Sequence, residues 1–240
     1  MYERGINKSI IQNFRIGYSG NLKSNNYLVS RLKEEGFSIS DMIEIGLVKE
    51  NQNKKHIFYF QQRLMIPILN NSGKVIAFGG RLLVEGNPKY LNSPESQLYN
   101  KSKILYGLFQ SRQQIRQDNN CYLVEGYTDV ISMHQIGVKN VVSSSGTALT
   151  DDQVKLVKRY TQNVTVLYDG DAPGIRASLR GIDILLEGGL NVRAVTFPDG
   201  EDPDSYSKKL GATAFNHFLT EGAVDFIKFK TSLLIEGIED

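Results

Sequence analysis

The stretch that decides the fold is Cys121–Gly137, which reads CYLVEGYTDVISMHQIG. CYLVEG is a short apolar run typical of a buried strand, and YTDVISMHQIG has the apolar spacing of a helix that ends at Gly137. The order recurs downstream: NVVSSSG precedes TDDQVKLVKRYT, NVTVLYDGD precedes APGIRASLRGIDILLEGG, and NVRAVTFPDG supplies a fourth strand. This α/β alternation predicts a parallel sheet with helices on both of its faces.

The region before this alternation has a different pattern. IIQNF, NNYLVSRLKEEG and SISDMIEIGLV favour short helices, whereas HIFYF, RLMIPIL and KVIAFGGRLL favour strands, with NNSG as a hairpin turn between the last two. We therefore predict a mixed α+β subdomain over residues 1–118 and an α/β subdomain over residues 119–205. Short helices follow, so residues 206–240 are predicted to begin a further, truncated helical subdomain.

Charge is divided unevenly along the chain. Residues 1–124 hold 17 Lys and Arg against 9 Asp and Glu, whereas residues 125–240 hold 11 against 17. This asymmetry favours polyanion binding by the first half and a carboxylate site in the second, although chance clustering of surface charge gives the same count. No apolar run is long enough to span a membrane, and the single cysteine, Cys121, excludes a disulfide framework and a cysteine-based zinc site. We expect a cytoplasmic protein.

Carboxylates follow three of the four predicted strands. Glu125 ends the first in LVEGYTD, Asp169 and Asp171 end the third in LYDGD, and Asp202 and Asp204 follow the fourth in GEDPD. Each segment alone has a simpler interpretation, because Asp-Gly-Asp is a common turn, Asp171 could cap a helix and EDPD could open one. Ligands of open α/β sheets gather at the carboxyl ends of the strands, and clustered carboxylates repel without a cation. Together the three segments predict a Mg²⁺ or Mn²⁺ site.

The motifs VEGYTD and YDGDAPG resemble the Toprim domain shared by bacterial primases, topoisomerases and some nucleases. RLMIPI, VIAFGGR, PKYLNSPES, YNKSKILYGL, GTALT and PDGEDPD occur in the order found in the RNA polymerase domain of bacterial DnaG-type primases. The resemblance covers nearly the whole chain. It implies a Toprim-type sheet and DNA-templated synthesis of short RNA primers by metal-dependent nucleotidyl transfer.

The resemblance also assigns roles to particular residues. It implies catalytic roles for Glu125, Asp169 and Asp171, which would bind metal together with Asp202 and Asp204, and a supporting role for Asp129. Contacts to nucleic acid or nucleotide phosphate are implied for Arg4, Arg63, Arg81, Lys89, Asn92 and Lys101. Two departures from the family pattern are Pro173, where the family usually has Ala, and a segment before Arg63 that is poor in arginine.

The resemblance implies partners as well. These are a single-stranded DNA template, an RNA primer, ribonucleoside triphosphates, guanosine tetraphosphate alarmones as inhibitors, and a replicative helicase in the primosome at the replication fork of the nucleoid. Full-length primases carry a zinc-binding module and a helicase-binding module, so we expect a catalytic-core fragment. Two alternatives remain open from sequence alone: phosphodiester cleavage by a Toprim nuclease or topoisomerase, and a non-catalytic module that binds DNA or nucleotides.

Overall fold

The computed structural model describes residues 5–20, 22–146, 148–168 and 172–235. The helices are α1 (Lys8–Asn13), α2 (Leu22–Glu34), α3 (Ile39–Glu44), α4 (Leu108–Asp118), α5 (Tyr127–Gln135), α6 (Asp151–Lys158), α7 (Ala172–Glu187), α8 (Pro203–Glu221) and α9 (Phe226–Ile235). The strands are β1 (Gly17–Tyr18), β2 (Val48–Glu50), β3 (His56–Phe58), β4 (Arg63–Leu69), β5 (Val75–Leu82), β6 (Tyr90–Asn92), β7 (Cys121–Val124), β8 (Val141–Ser143), β9 (Asn163–Tyr168), β10 (Asn191–Thr196) and β11 (Val224–Asp225). None of the described helices combines the length and apolar character needed to cross a bilayer.

The chain forms two compact units. The N-terminal unit is residues 8–101, and the C-terminal unit is residues 1–7 with 102–240. The boundary falls earlier than the predicted one at residue 118, because α4 belongs to the C-terminal unit. Its buried Leu108 and Ile115 pack in the same apolar cluster as Leu123 of β7 and Val142 of β8. The N-terminal unit holds 13 Lys and Arg against 7 Asp and Glu, and the C-terminal unit holds 15 against 19.

An antiparallel sheet of order β1-β4-β5-β6 forms the centre of the N-terminal unit. Strand β4 is buried along its whole length, which agrees with the continuous apolar run RLMIPIL. Proline is rare in a central strand because it lacks the N–H that a ladder needs. Pro67 is tolerated here because β1 pairs only with Leu64 and Met65. The predicted NNSG hairpin is present, with the Asn70 side chain accepting hydrogen bonds from the backbone N–H groups of Ser72 and Lys74.

The C-terminal unit contains the predicted parallel sheet. Its strand order is β11-β10-β9-β7-β8, in which β7 to β10 run parallel and the edge strand β11 pairs antiparallel with β10. Helices α4 and α5 contact β8, whereas α7 contacts β9 and β10. Thr150 caps α6, since its Oγ1 accepts from the N–H of Gln153 at 3.3 Å. The expected α/β fold is therefore confirmed.

Helix α8, which follows β10, contains a break. Gly211 interrupts α8 with a φ of 73°, a left-handed conformation that glycine adopts without steric cost. This kink lies where the sequence passes from SYSKKLG to ATAFNHFLTEG. The sequence analysis missed β11, a strand of two residues that pairs with Arg193 and Ala194 of β10. So short an element has no periodicity to detect.

Candidate functional site

Glu125 is exposed at the carboxyl end of β7, in a turn that two hydrogen bonds fix. The Ser143 hydroxyl at the end of β8 donates to the Glu125 carbonyl oxygen at 2.6 Å. The N–H of Gly126 donates to Asp129 Oδ2 at 2.9 Å, and Asp129 is only 7% exposed. Asp129 thus ties the turn to the first turn of α5. The Glu125 backbone is thus held, and the residue is exposed.

Asp202 and Asp204 stand at the start of α8, just after β10. Asp202 is the N-cap of this helix, and its Oδ1 accepts from the N–H of Ser205 at 2.6 Å. Asp204 Oδ1 accepts from the hydroxyl of Ser132 on α5 and pairs with Lys208 Nζ at 2.6 Å. Because Ser132 belongs to the helix that follows Glu125, this hydrogen bond joins the two segments that carry the predicted acids.

The strand order places these segments around β9. This strand lies between β7 and β10, so Glu125 follows one of its neighbours and Asp202 and Asp204 follow the other. Asp169 and Asp171, predicted to follow β9 itself, lie outside the described residues. Among the residues that are described, no three His, Cys, Asp or Glu side chains converge closely enough to hold a metal ion. Asp202 caps α8, so the interpretation of EDPD as a segment that opens a helix is correct for this residue.

A depression of about 510 Å³ adjoins Glu125 on the sheet. Most of its lining is aliphatic, from strands β7 and β9 and from Leu149 and Ile184. Its polar groups are Glu125, Ser144 and Arg180. An apolar recess with a few polar groups at one end is the usual form of a small-molecule site.

Arg63, in the N-terminal unit, does not present a free guanidinium. Its residue is only 5% exposed, and Nη1 donates to the carbonyls of Gly80 at 2.9 Å and Lys89 at 3.3 Å, while Nη2 donates to Pro88 at 2.9 Å. A Cβ on Gly80 would lie 2.8 Å from Arg63 Cδ, so glycine is needed for this packing. We revise its predicted role from phosphate contact to positioning of the β5–β6 connection.

Arg81 and Lys89 lie at the two ends of that connection. Arg81 is directly opposite Tyr90 in the β5–β6 ladder, and its guanidinium carbon is 5.4 Å from the centre of the Tyr90 ring. Lys89 is exposed, and Tyr90 is 37% exposed. A ring-stacked arginine beside an exposed lysine and an exposed aromatic ring offers both phosphate contacts and base stacking.

The other predicted basic-half residues are more enclosed. Asn92 and Lys101 are half-buried, and the Lys101 backbone N–H donates to Glu95 Oε1 at 3.0 Å. Tyr99 is buried, and burial, followed by the charge of Glu95, raises the pKa of Tyr99 to about 12. Arg4 lies outside the described residues. Of the predicted phosphate-contacting residues that the structure describes, only Arg81 and Lys89 therefore lie next to the exposed Tyr90 ring.

Sequence analysis missed the groups that hold the acids in place. These are Ser132 and Lys208 on Asp204, and Ser143 on the Glu125 backbone. Lys208 could have been found, since a lysine four residues after an aspartate on a helix forms an ion pair. Ser132 and Ser143 act across tertiary contacts, and local spacing gives no signal for them.

Comparisons with known proteins match both units. The family model of the N-terminal domain of the DNA primase catalytic core matches residues 1–112, and a Toprim-like family model matches residues 122–207. The chain is similar to a DNA primase of Clostridium acetobutylicum, with 42% identity over 98% of this chain and 39% of the relative. It is similar to a Staphylococcus aureus DNA primase at 36% identity, over 99% of this chain and 40% of the relative. The chain thus spans about two fifths of the length of these relatives.

Solved structures agree with this similarity. The E. coli primase catalytic core matches with a TM-score of 0.88 and 34% identity, over 98% of this chain and 75% of that chain. A DnaG primase catalytic domain bound to single-stranded DNA matches with a TM-score of 0.85 and 34% identity, over 93% of this chain and 72% of that one. Identity at this level over three quarters of a catalytic core shows more than a shared fold. The chain belongs to the family of bacterial DnaG-type DNA primase catalytic cores.

Proposed function

We propose that this chain carries the nucleotidyl-transfer centre of a DNA primase, which synthesises short RNA primers on a single-stranded DNA template for replication. The observation that carries the proposal is the placement of Glu125 after β7 and of Asp202 and Asp204 after β10, on either side of β9, in a chain of the primase family. Carboxylates at the carboxyl ends of neighbouring parallel strands share one edge of the sheet, where such folds bind ligands.

The donor chemistry of these residues fits a divalent cation. Carboxylate oxygens are the hard ligands that Mg²⁺ and Mn²⁺ prefer. We assign Glu125, Asp169 and Asp171 as the catalytic acids and add Asp202 and Asp204 to the metal-binding set. When bound, the cation supplies positive charge that stabilises a phosphoryl transition state and lowers the pKa of an attacking hydroxyl.

The reaction joins the 3′-oxygen of the primer to the α-phosphate of the incoming ribonucleotide, and pyrophosphate leaves. This chain contributes by fixing its acids before substrate arrives. Ser143 and Asp129 hold the Glu125 turn, and Ser132 and Lys208 hold Asp204 Oδ1. Preformed charge of this kind is effective because it needs no reorganisation as the reaction proceeds.

The basic residues of the N-terminal unit are proposed to hold template, primer and nucleotide phosphates. Arg81 and Lys89 are the main candidates, supported by their exposed aromatic neighbour Tyr90, and Lys101 is a further one. Asn92 of the same unit, and Arg4 of the C-terminal unit, are proposed to contribute to the same contacts. A solved relative was obtained bound to single-stranded DNA, which supports a DNA template. Guanosine tetraphosphate alarmones would compete at the nucleotide site, and a replicative helicase is proposed as a partner of a longer primase.

The test is a primer-synthesis assay with the chain, a single-stranded template, four ribonucleotides and Mg²⁺ or Mn²⁺. Short RNA whose sequence complements the template supports the proposal. Nicking of supercoiled DNA without RNA synthesis would instead support a Toprim nuclease or topoisomerase. Binding of template with neither activity would overturn the catalytic assignment. A template that lacks one base, with the matching ribonucleotide omitted, controls for untemplated addition.

A further inference from the structure

Two adjoining depressions lie at the amino edge of the parallel sheet. One, of about 540 Å³, is lined by Arg112, Gln113, Arg116, Gln117 and Tyr160. The other, of about 530 Å³, is lined by Lys158, Arg159, Tyr160, the amide side chains of Asn119, Gln162, Asn163 and Asn191, and Thr161. Tyr160 borders both. Because Asn163 and Asn191 are the first residues of β9 and β10, this area is at the opposite end of the strands from Glu125.

We name the amino-edge surface by its charged and aromatic members, Arg112, Arg116, Lys158, Arg159 and Tyr160. Four cations line the two depressions, and no carboxylate of the described part of the chain does. This is against the trend of the C-terminal unit, in which 15 Lys and Arg face 19 Asp and Glu. Neither Arg116 nor Arg159 forms an ion pair with any carboxylate of the described residues. Positive charge is therefore concentrated here without internal neutralisation of these two arginines.

Helix ends account for part of this charge. Arg116 and Lys158 lie in the last turns of α4 and α6, where the helix dipole favours cations. Lys158 Nζ also donates to the carbonyl of Gly188 at 2.6 Å, which satisfies the end of α7. The dipole does not account for Arg112, which lies in the middle of α4.

Aromatic rings pre-arrange two of the guanidinium groups. The guanidinium carbon of Arg116 is 4.8 Å from the centre of the Tyr160 ring, and that of Arg112 is 4.6 Å from the Phe109 ring. Stacking on a ring holds the plane of a guanidinium, and for Arg116 it leaves the edge N–H groups to oxygen acceptors. Planar, pre-arranged forks of this kind suit phosphate oxygens.

We propose that the amino-edge surface binds the sugar–phosphate backbone of single-stranded nucleic acid. The lining beside the cations includes the exposed amide side chains of Gln113, Gln117 and Gln162, and amides contact phosphate and sugar in nucleic-acid complexes. The site is separate from the carboxylate edge, and its test does not depend on primer synthesis.

The test compares the salt dependence of oligothymidylate binding by the wild-type chain and by Arg116→Gln/Arg159→Gln. Loss of two phosphate contacts should lower the slope of log K against log salt by about 1.4, since each contact on a single strand contributes about 0.7. The matched control is Lys155→Gln/Lys228→Gln, which removes the same charge from exposed lysines that line neither depression. A control slope equal to that of the wild type is expected. Equal slopes in both double variants would overturn the proposal.

Photo-crosslinking provides a readout that does not rely on folding of the variant. Iodouracil-substituted oligonucleotide should crosslink to the peptide containing Tyr160 in the wild-type chain. Circular dichroism then shows whether the variant is folded, and a folded variant should lose that crosslink. No crosslink to this peptide in the wild type would overturn the proposal. If poly-glutamate, but not oligothymidylate, protected the same peptide from crosslinking, the proposal would be overturned in favour of an acidic protein partner.

Discussion

Acidification should destabilise the C-terminal unit through His134. This residue of α5 is 4% exposed, and its Nε2 lies 3.0 Å from Ser111 Oγ on α4. The Ser111 hydroxyl has one proton and donates it to the carbonyl of Val141 on β8 at 2.6 Å. Nε2 must therefore be the protonated nitrogen of a neutral ring and donate to Ser111. The neutral imidazole joins α5 to α4 and β8.

The size of the effect follows from the pKa of His134. Burial, and then the charge of Lys139, lower this pKa from 6.5 to about 4. In the unfolded chain the ring binds a proton below about pH 6.5, whereas in the folded chain it stays neutral to about pH 4. The folded state is thus fully favoured above pH 6.5 and loses stability as the pH falls from 6.5 towards 4. At pH 5 the free energy of unfolding has fallen by about 2 kcal/mol. The full decrease that the shift in the His134 pKa can cause is about 3 kcal/mol.

The measurement is urea unfolding followed by circular dichroism at about pH 7 and pH 5, with His134→Gln as the comparison. The glutamine amide can donate to Ser111 but does not titrate. The wild type should lose about 2 kcal/mol more free energy of unfolding on acidification than His134→Gln does. His217→Gln, at an exposed histidine, should behave like the wild type. If His134→Gln shows the same pH dependence as the wild type, the reasoning from burial is refuted.

Three further predictions concern the described contacts. Arg63→Met should reduce the free energy of unfolding by roughly 2–4 kcal/mol in urea titrations, since buried Gly80 O loses a charged donor. Under conditions in which the variant is folded, its salt slope for single-stranded DNA should match the wild type, and a decrease of about 0.7 would show direct phosphate contact. Gly107→Ala should lower the free energy of unfolding by roughly 2–4 kcal/mol, because φ is 82° and a Cβ would lie 2.8 Å from Val130 Cγ1. An unchanged melting temperature in thermal unfolding would contradict this. Lys208→Met should lower the Mg²⁺ concentration for half-maximal primer synthesis roughly twofold to fivefold, because it removes the positive charge paired with Asp204 Oδ1, whereas a higher requirement would show that the lysine assists binding.

The parallel sheet could be predicted from the sequence because its strands are short apolar runs bounded by helices of clear periodicity. The sequence located the hairpin through Asn70 and Gly73, since turn chemistry is local. The unit boundary was not predictable in the same way. The polar surface of α4 gives no sign of which core Leu108 and Ile115 join, because tertiary packing decides that.

The candidate site was predicted only in part, because some of its features follow from local sequence and others depend on tertiary packing. Glu125 is exposed at a strand end, where the alternation of elements placed it. Asp202 carries two possible meanings in sequence, a ligand or a cap, and the hydrogen bond from Ser205 shows the cap without excluding a ligand role for its second oxygen. Arg63 opens a strand that is buried along its whole length, which was a signal for a structural role.

Glu125→Gln tests most directly whether the carboxyl edge of the sheet performs nucleotidyl transfer. This change removes one charge and keeps the shape of an exposed side chain at the end of β7. Incorporation of labelled ribonucleotide at saturating template should fall roughly 100-fold or more, the usual cost of removing a group that stabilises transition-state charge. Glu187→Gln, at an exposed carboxylate of α7, should keep wild-type incorporation. Wild-type incorporation by Glu125→Gln would contradict the account.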